Sequence, residues 1–417
     1  MIDLTVAAIP LYFGSMGVEY VYLKRQAETR EPIPGDYTRN DTIASLAMGV
    51  GSLLAPFAWA KLLGPVTPGK GRYGKWLVAG AAGAVGVTTI ADFLARLDEA
   101  EPRAGVSGGV SAELSDAPPA RAVSGNGARR PAGTAVSEPR GRRWRRKVAK
   151  VARKVSSAGG VASVVAGGVA ITTAFAALVS PERMWNKRFV RDLGTGPLAV
   201  LIAIFGWDFI YYWNHRFMHT ARYMWAVHVV HHSSEHYNLS TALRQPVADP
   251  LATFVPYGLL SLVGIRPELI SMAHGVNLIY QYWIHTETID RIGPPEAVLN
   301  TASHHRVHHG SQTKYIDRNH GSILIVWDKL FGTFVPEQEP VIYGLTKNLG
   351  TDNWWVIATH EHKEMLSDVA ASTNWRDRIS YVLRGPGWAY EQRALREAVA
   401  ETEPPVPERA RVAAPTA

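Results

Sequence analysis

The chain has 417 residues, no cysteine and a formal net charge of +8. The missing cysteines exclude disulfides, thiolate zinc sites, iron–sulfur clusters and thiolate-ligated haem. Apolar residues make up 47% of the chain and charged residues 19%, against roughly 25% charged in soluble proteins. Part of the chain is therefore expected in lipid.

The chain opens MIDLTVAAIPLYFGSMGVEYVYLKR. No basic stretch precedes the apolar run and no small-residue cleavage site follows it, so it predicts an uncleaved membrane helix. Further apolar runs occupy 42–63, 76–95, 157–180, 197–213, 247–264 and 268–286. A run of about 17–25 residues suffices to cross a bilayer core. The 157–180 run is mostly small residues. The 247–264 run contains Asp249, Pro250 and Pro256, which predict a kink or a re-entrant turn.

Residues 98–155 differ from their surroundings. They are rich in Gly, Ala, Pro, Ser and Arg and end in RGRRWRRKVAKVARK, which predicts a disordered linker with a basic end. Trp144 in that end would suit base stacking. An apolar run follows at once, however, and a juxtamembrane basic segment gains about 1 kcal/mol per Lys or Arg on anionic lipid. The lipid reading is preferred and no nucleic-acid partner is expected. The positive-inside rule then places this loop in the cytoplasm. Counting forward, 157–180 leads out, 197–213 returns, and the last two runs form a hairpin that brings His285 to the same face as His215. No internal repeat is visible.

Twelve of the fifteen histidines lie between 215 and 309. In WNHRFMHT, His215 and His219 are four apart and share a helix face. In HVVHH, His228, His231 and His232 stand at i, i+3 and i+4, and HRVHH repeats this with His305, His308 and His309. A helix with several imidazoles on one side is a multidentate ligand set, as in the i, i+4 pair of HExxH proteases. His285, which ends the last apolar run, is a ninth candidate. His274, Asn277, Gln281 and His285 fall in an arc of about 80° on a helix. The first three are expected to line a substrate channel, because polar groups within a span usually face a cavity or pathway. Asp208 lies on the face of His215 and His219. It is expected to orient an imidazole through its distal N–H, as is Asp317 after the third cluster. His236 and His304 are expected just outside the ligand set.

Nine imidazoles are too many for one ion, whereas two ions with four or five ligands each fit the count and leave an open position. Imidazole suits iron, zinc, copper or nickel. The clusters contain no carboxylates, unlike a Glu-rich ferritin-like site, and no HExxH glutamate to serve zinc hydrolysis.

The stretches DFIYYWNHRFMH, HVVHHSSEHYNLSTALRQ, YQYWIHTE, NTASHHRVHHG and YIDRNHGSILIVWDKLFGTF resemble the fatty acid hydroxylase/sterol desaturase superfamily, nearest its alkylglycerol monooxygenase-like branch. RNDTIASLAMG and GPGW also resemble segments of bacterial members. The resemblance implies an all-α polytopic membrane bundle with a cytoplasmic histidine-box cap, set in a bacterial inner membrane. It implies two non-haem irons held by His215, His219, His228, His231, His232, His285, His305, His308 and His309. It also implies hydroxylation of a lipid C–H bond (fatty acyl, alkyl ether or sterol-like) with O2. Electrons would come from a separate ferredoxin or small haem protein with its reductase, since no glycine-rich NAD(P) motif is present. Desaturation on the same site is the alternative outcome. A zinc-dependent membrane hydrolase and a metal transporter are the rivals from other classes. Thr220 and His236 stand where such chains more often carry an acidic residue, and His320 where they more often carry an aromatic one. The expected organisation is N-terminal transmembrane helices at 1–97, the linker at 98–155, the di-iron domain at 156–363 and a polar C-terminal tail at 364–417. Reporter fusions at residues 130 and 345 are expected to read cytoplasmic; a periplasmic reading at 345 would contradict the convergence of the clusters on one face.

Overall fold

The protein is described by a computed structural model covering residues 4–96 and 140–402. No β-strand occurs among these residues; the backbone is helical apart from turns and one isolated bridge between Leu299 and Leu324. Four long helices lead the chain: α1 (Ile9–Gln26), α2 (Arg39–Leu63), α3 (Gly74–Arg96) and α4 (Arg140–Leu178). Helices α5 (Pro197–Thr220), α6 (Arg222–His232), α7 (Pro267–Trp283) and α8 (Ala302–His308) carry the histidine clusters or lead into them. The short α9 (Val326–Phe331) follows, and α10 (Trp354–Ala371), α11 (Trp375–Leu383) and α12 (Pro386–Thr402) complete the described chain.

Among the described residues, three segments are long and apolar enough to cross a membrane by themselves: Arg39–Val66, Gly74–Arg96 and Arg143–Leu178. Their outer faces carry Val50, Leu54, Phe57, Trp76, Phe93 and Ile171, all exposed. In water such a surface would be costly, whereas in a bilayer these side chains meet lipid. The chain is an integral membrane protein.

Two features depart from the sequence expectations. The basic end of the 98–155 segment is not a linker where it is described. From Arg140 it is the first part of α4, continuous with the apolar run. The sixteen residues from Arg140 to Val155 add about 24 Å of helix at 1.5 Å per residue. The remainder of that segment lies outside the described residues. Second, 247–264 makes no helical hairpin with 268–286, although its chain does break as Pro250 and Pro256 predict. It contains only short turns, Asp249–Leu251 and Leu259–Leu262, because Pro250 and Pro256 withhold two backbone donors.

That irregular segment runs back along α5. Phe254 and Val255 lie against Asn214, Leu260 against Gly206, and Leu193 N–H bonds the Gly264 carbonyl. Non-helical backbone at membrane depth needs partners from the protein. Asn214 supplies them, accepting from Phe254 N (2.9 Å) and Val255 N (2.6 Å) and donating to the Val255 carbonyl (2.9 Å). The Trp59 indole donates to the Val247 carbonyl at 2.7 Å, and Tyr223 Oη to that of Leu251.

Buried ion pairs fix the cap to the bundle. Arg378 on α11 reaches Asp92 on α3 (2.5 and 2.8 Å) and Ser156 on α4 (2.8 Å). Arg244 pairs with Asp41 on α2. Arg222, at the start of α6, pairs with Glu361 and Asp368 on α10, each at 2.7 Å. Residues 365–402 thus continue the packed unit through α10 to α12 rather than trailing from it. Removing one partner of such a pair strands a buried charge, at about 3–5 kcal/mol. Arg222→Met is therefore expected to lower the thermal midpoint of the purified protein and loosen α6, whereas Arg30→Met, in a half-exposed pair with Asp36, should shift it little.

Candidate metal centre

Nine imidazoles converge where α5, α6, α8 and the end of α7 meet. They form two groups: His215, His219, His228, His232 and His308, and His231, His285, His305 and His309. Within each group, one ring nitrogen per residue lies within 4.8 Å of all the others, and every ring is buried. These are the nine residues singled out from the sequence.

Helix geometry explains the division. At about 100° per residue, positions i and i+4 differ by about 40°, while i+3 lies about 60° to the other side of i. The i, i+4 pairs 215/219, 228/232 and 305/309 each stay within one group. The i+3 residues, His231 and His308, cross to the other. Each HxxHH helix therefore serves both groups and locks them together.

The five-membered group is a square pyramid of rings. His219 is the apex, its centroid 5.3, 5.1, 4.8 and 4.8 Å from those of His215, His228, His232 and His308. Neighbours around the base are 4.7, 4.9, 4.8 and 4.4 Å apart, and the His228–His308 diagonal is 6.4 Å. The four-membered group has one long diagonal, His231–His305 at 6.5 Å, and one short, His285–His309 at 5.1 Å.

Hydrogen bookkeeping tests whether a metal fits. A carbonyl oxygen only accepts, so a ring nitrogen facing one carries the hydrogen. Nδ1 of His215 faces the His320 carbonyl (2.8 Å), Nδ1 of His308 that of Arg318 (2.9 Å), Nδ1 of His285 that of Gln281 (2.7 Å) and Nδ1 of His231 that of Arg244 (3.3 Å). The Nε2 atoms of these neutral rings are then bare lone pairs. Yet His285 Nε2 sits 3.0 Å from His231 Nε2, with no hydrogen to share. Nε2 of His219, His308 and His309 is buried with no hydrogen-bond partner among the described residues, at about 1–3 kcal/mol each. A cation between the rings removes both penalties. A metal–nitrogen distance of about 2.0–2.1 Å puts adjacent donors about 3 Å apart. The pairs 215/228, 228/232, 231/285 and 285/305 stand at 3.0, 3.1, 3.0 and 3.0 Å. The residues fit a metal. Burial, and after it the neighbouring imidazoles, hold His228, His232, His308 and His309 well below the ordinary histidine range; burial takes His231 down to about 4. The rings outside the spans are therefore uncharged donors at neutral pH.

One strap of chain orients three of the five rings. Residues 317–320 offer the Asp317 carboxylate to Nδ1 of His219 (3.4 Å), the Arg318 carbonyl to His308 and the His320 carbonyl to His215. Two left-handed residues, Asp317 (φ 57°) and Asn319 (φ 53°), turn successive groups toward the rings. Asp and Asn tolerate this conformation better than most L-residues. The Asn319 amide donates to the His304 and Val335 carbonyls (3.0 and 2.8 Å) and accepts from Val335 N (2.9 Å). Asp328 accepts from the N–H groups of His320 and Gly321, both at 2.7 Å.

The remaining candidates fall elsewhere. Asp317 lies against His219, its carboxylate 3.4 Å from Nδ1. Asp208 does not touch a ligand ring. It accepts from Ile323 N (2.7 Å), Leu324 N (3.3 Å) and the Trp327 indole (2.8 Å), and so secures the chain after the strap. Its depth below His215 on α5 puts it level with that loop. His304 packs on Phe334 and His236 lies by Ser234; neither joins a group. The expected channel stripe is instead a closed hydrogen-bonded chain. Asn277 donates to Asp208 (3.4 Å), Gln281 to Asn277 (2.6 Å) and Tyr211 to Gln281 (2.7 Å). His274 is exposed and stacks on Trp207 at 5.3 Å. Sequence reading missed the carbonyls of Gln281, Arg244, Arg318 and His320, since a backbone acceptor has no side-chain signature. Asp317 and Asn319, two turn-formers flanking one residue, were the available signal for the strap.

Residues 200–333 match the fatty acid hydroxylase family model. Over 212 residues the chain is 46% identical to an alkylglycerol monooxygenase of Homo sapiens, covering 51% of this chain and 47% of that protein. Over 187 residues it is 46% identical to an alkylglycerol monooxygenase of Danio rerio, covering 45% and 42%. An ornithine lipid hydroxylase of Rhizobium tropici is 26% identical over 188 residues, 44% of this chain and 56% of that protein. The chain thus spans about half the length of the curated relatives it matches. No solved structure matches it. The matched segment begins in α5 and ends beyond α9, enclosing all nine rings and the strap. Residues 200–333, carried in a helical membrane bundle, are thus the part of the chain that is similar to the fatty acid hydroxylases.

Proposed function

We propose that this chain is a membrane di-iron oxygenase that hydroxylates a C–H bond of a lipid. The observation that carries the reading is the opposed, hydrogen-free Nε2 pair of His231 and His285 within nine buried imidazoles. Such a cluster is costly unless it binds metal. Two irons held there would supply oxygen activation and attack on an unactivated C–H bond. His215, His219, His228, His232 and His308 would hold one ion, and His231, His285, His305 and His309 the other.

The chain's own residues supply the rest. The strap, Gln281 and Arg244 fix the tautomers so that every oriented ring turns Nε2 inward. Tyr211, Trp207 and Tyr257 form an aromatic wall below His215, with Trp207 stacked on Tyr257 at 4.4 Å. This wall limits water at the centre. The substrate class follows from the bilayer setting and from the relatives, whose names are those of an alkylglycerol monooxygenase and an ornithine lipid hydroxylase. A glycerol ether lipid is the first substrate to try. Electrons would arrive from a separate ferredoxin or small haem protein on the cytoplasmic side, in a bacterial inner membrane.

Metal analysis of protein from iron-replete cells is expected to find about two ions per chain, mainly iron. His231→Ala and His308→Ala should each lower occupancy. His360→Ala should not, because its Nδ1 already bonds the Ile357 carbonyl on α10. Full occupancy in both cluster variants would refute the ligand assignment.

Membranes containing the protein, given a reductant system and a long-chain ether lipid, are expected to consume oxygen and place oxygen-18 from the gas in the product. Label arriving only from water, or turnover without oxygen, would favour a zinc hydrolase. A double bond without label would mean desaturation on the same site. Metal uptake into vesicles without oxygen consumption would favour a transporter.

A further inference from the structure

The two groups of rings are not held alike. In the five-membered group, three rings are oriented by the single strap 317–320, which is itself tied down by Asn319 and Asp328. One of the three is His219, whose ring neighbours all four others. In the four-membered group, His231 and His285 lean on carbonyls from two unrelated segments, and Nδ1 of His305 is buried with no hydrogen-bond partner among the described residues. The first group also has one more donor.

We propose that the strap makes the five-histidine pocket the retaining one of the pair, so that metal leaves the four-histidine pocket first, and that Asp317 is the positioning residue for this difference, acting through His219. The inference rests on the reading of the nine rings as ligands of two ions. An imidazole with a carboxylate on its outer nitrogen is a stronger and better-aimed donor, and loss of such a partner typically costs 10–100-fold in metal affinity. Asp317 is the strap residue whose side chain, rather than its backbone carbonyl, meets a ring nitrogen, and that side chain is 48% exposed. Replacing it empties no core. Its positive φ (57°) makes glycine the replacement that removes the carboxylate without opposing the backbone. Asparagine tolerates the same conformation and keeps an oxygen acceptor, though an uncharged one.

The test is chelator-driven release from the iron-loaded full-length protein in detergent, followed as absorbance of the ferrous chelate. The native protein is expected to release its iron in two phases of about one ion each. His231→Ala should abolish the fast phase and His219→Ala the slow one, which assigns them. Asp317→Gly is expected to speed the slow phase by about tenfold and leave the fast phase unchanged, with Asp317→Asn in between. A single phase in the native protein, an unchanged slow phase in Asp317→Gly, or an effect confined to the fast phase would each overturn the proposal while leaving two bound ions intact. Fewer than two ions at the outset would instead bring down the parent reading, and this one with it.

Discussion

The structure turns on a conflict between lone pairs. Backbone carbonyls claim the outer nitrogens of His215, His231, His285 and His308. This leaves unprotonated inner nitrogens about as close as hydrogen-bonding atoms, with nothing between them to share. Burial prevents water from relieving the contact and keeps the rings outside the spans uncharged. The long polar loops, the buried arginines and the interrupted descent along α5 are intelligible as the means of holding this arrangement in place. A domain without metal would gain stability by replacing those rings with leucines.

Interlocking is the second consequence. Because each HxxHH helix sends its i+3 ring to the opposite group, α6 and α8 cannot shift independently. A rotation of α6 that improved the aim of His228 and His232 would spoil that of His231. Rigid anchorage of both helices is therefore required. Arg222 fixes the start of α6 against α10, and Arg306, between the rings of α8, reaches Glu337 at 2.7 Å and the Thr286 and Ile289 carbonyls. Energetically these buried charges are poor stabilisers compared with apolar packing. Their value is that they permit one geometry only.

Much of this was legible in the sequence, and what was not had physical reasons. Spacing at four and three residues exposed the ligand candidates because imidazole is rarely clustered without cause. The same spacing did not reveal how the rings divide, since that depends on where the two helices face each other. Asp208 sat on the correct helix face, but its partner was a backbone turn more than a hundred residues away, invisible to any local pattern. The polar stripe of α7 suggested a passage, but Asn277 and Gln281 spend their hydrogen-bonding capacity on each other and on Asp208 and Tyr211. In 247–264 the prolines predict a break, yet the average apolarity still suggests a span. A segment buried by its own protein and one buried by lipid have the same composition. In α4 the basic end looked like a linker because charge and helix formation are independent properties, and Arg and Lys are good helix formers.

The irregular segment beside α5 also bears on how such a domain can vary. Inserting one residue into α5, between Asp208 and His215, would turn the histidines beyond it by about 100° and destroy the site. The same insertion between Val247 and Phe254 would only lengthen a turn, because Asn214 grips the backbone of Phe254 and Val255 rather than any side chain. The stretch 247–253 is thus a part of the surroundings whose length and lining can drift without disturbing the register of the rings. Variation by small insertions and deletions has a place to occur here, while the histidine-bearing helices remain under a constraint that admits almost none.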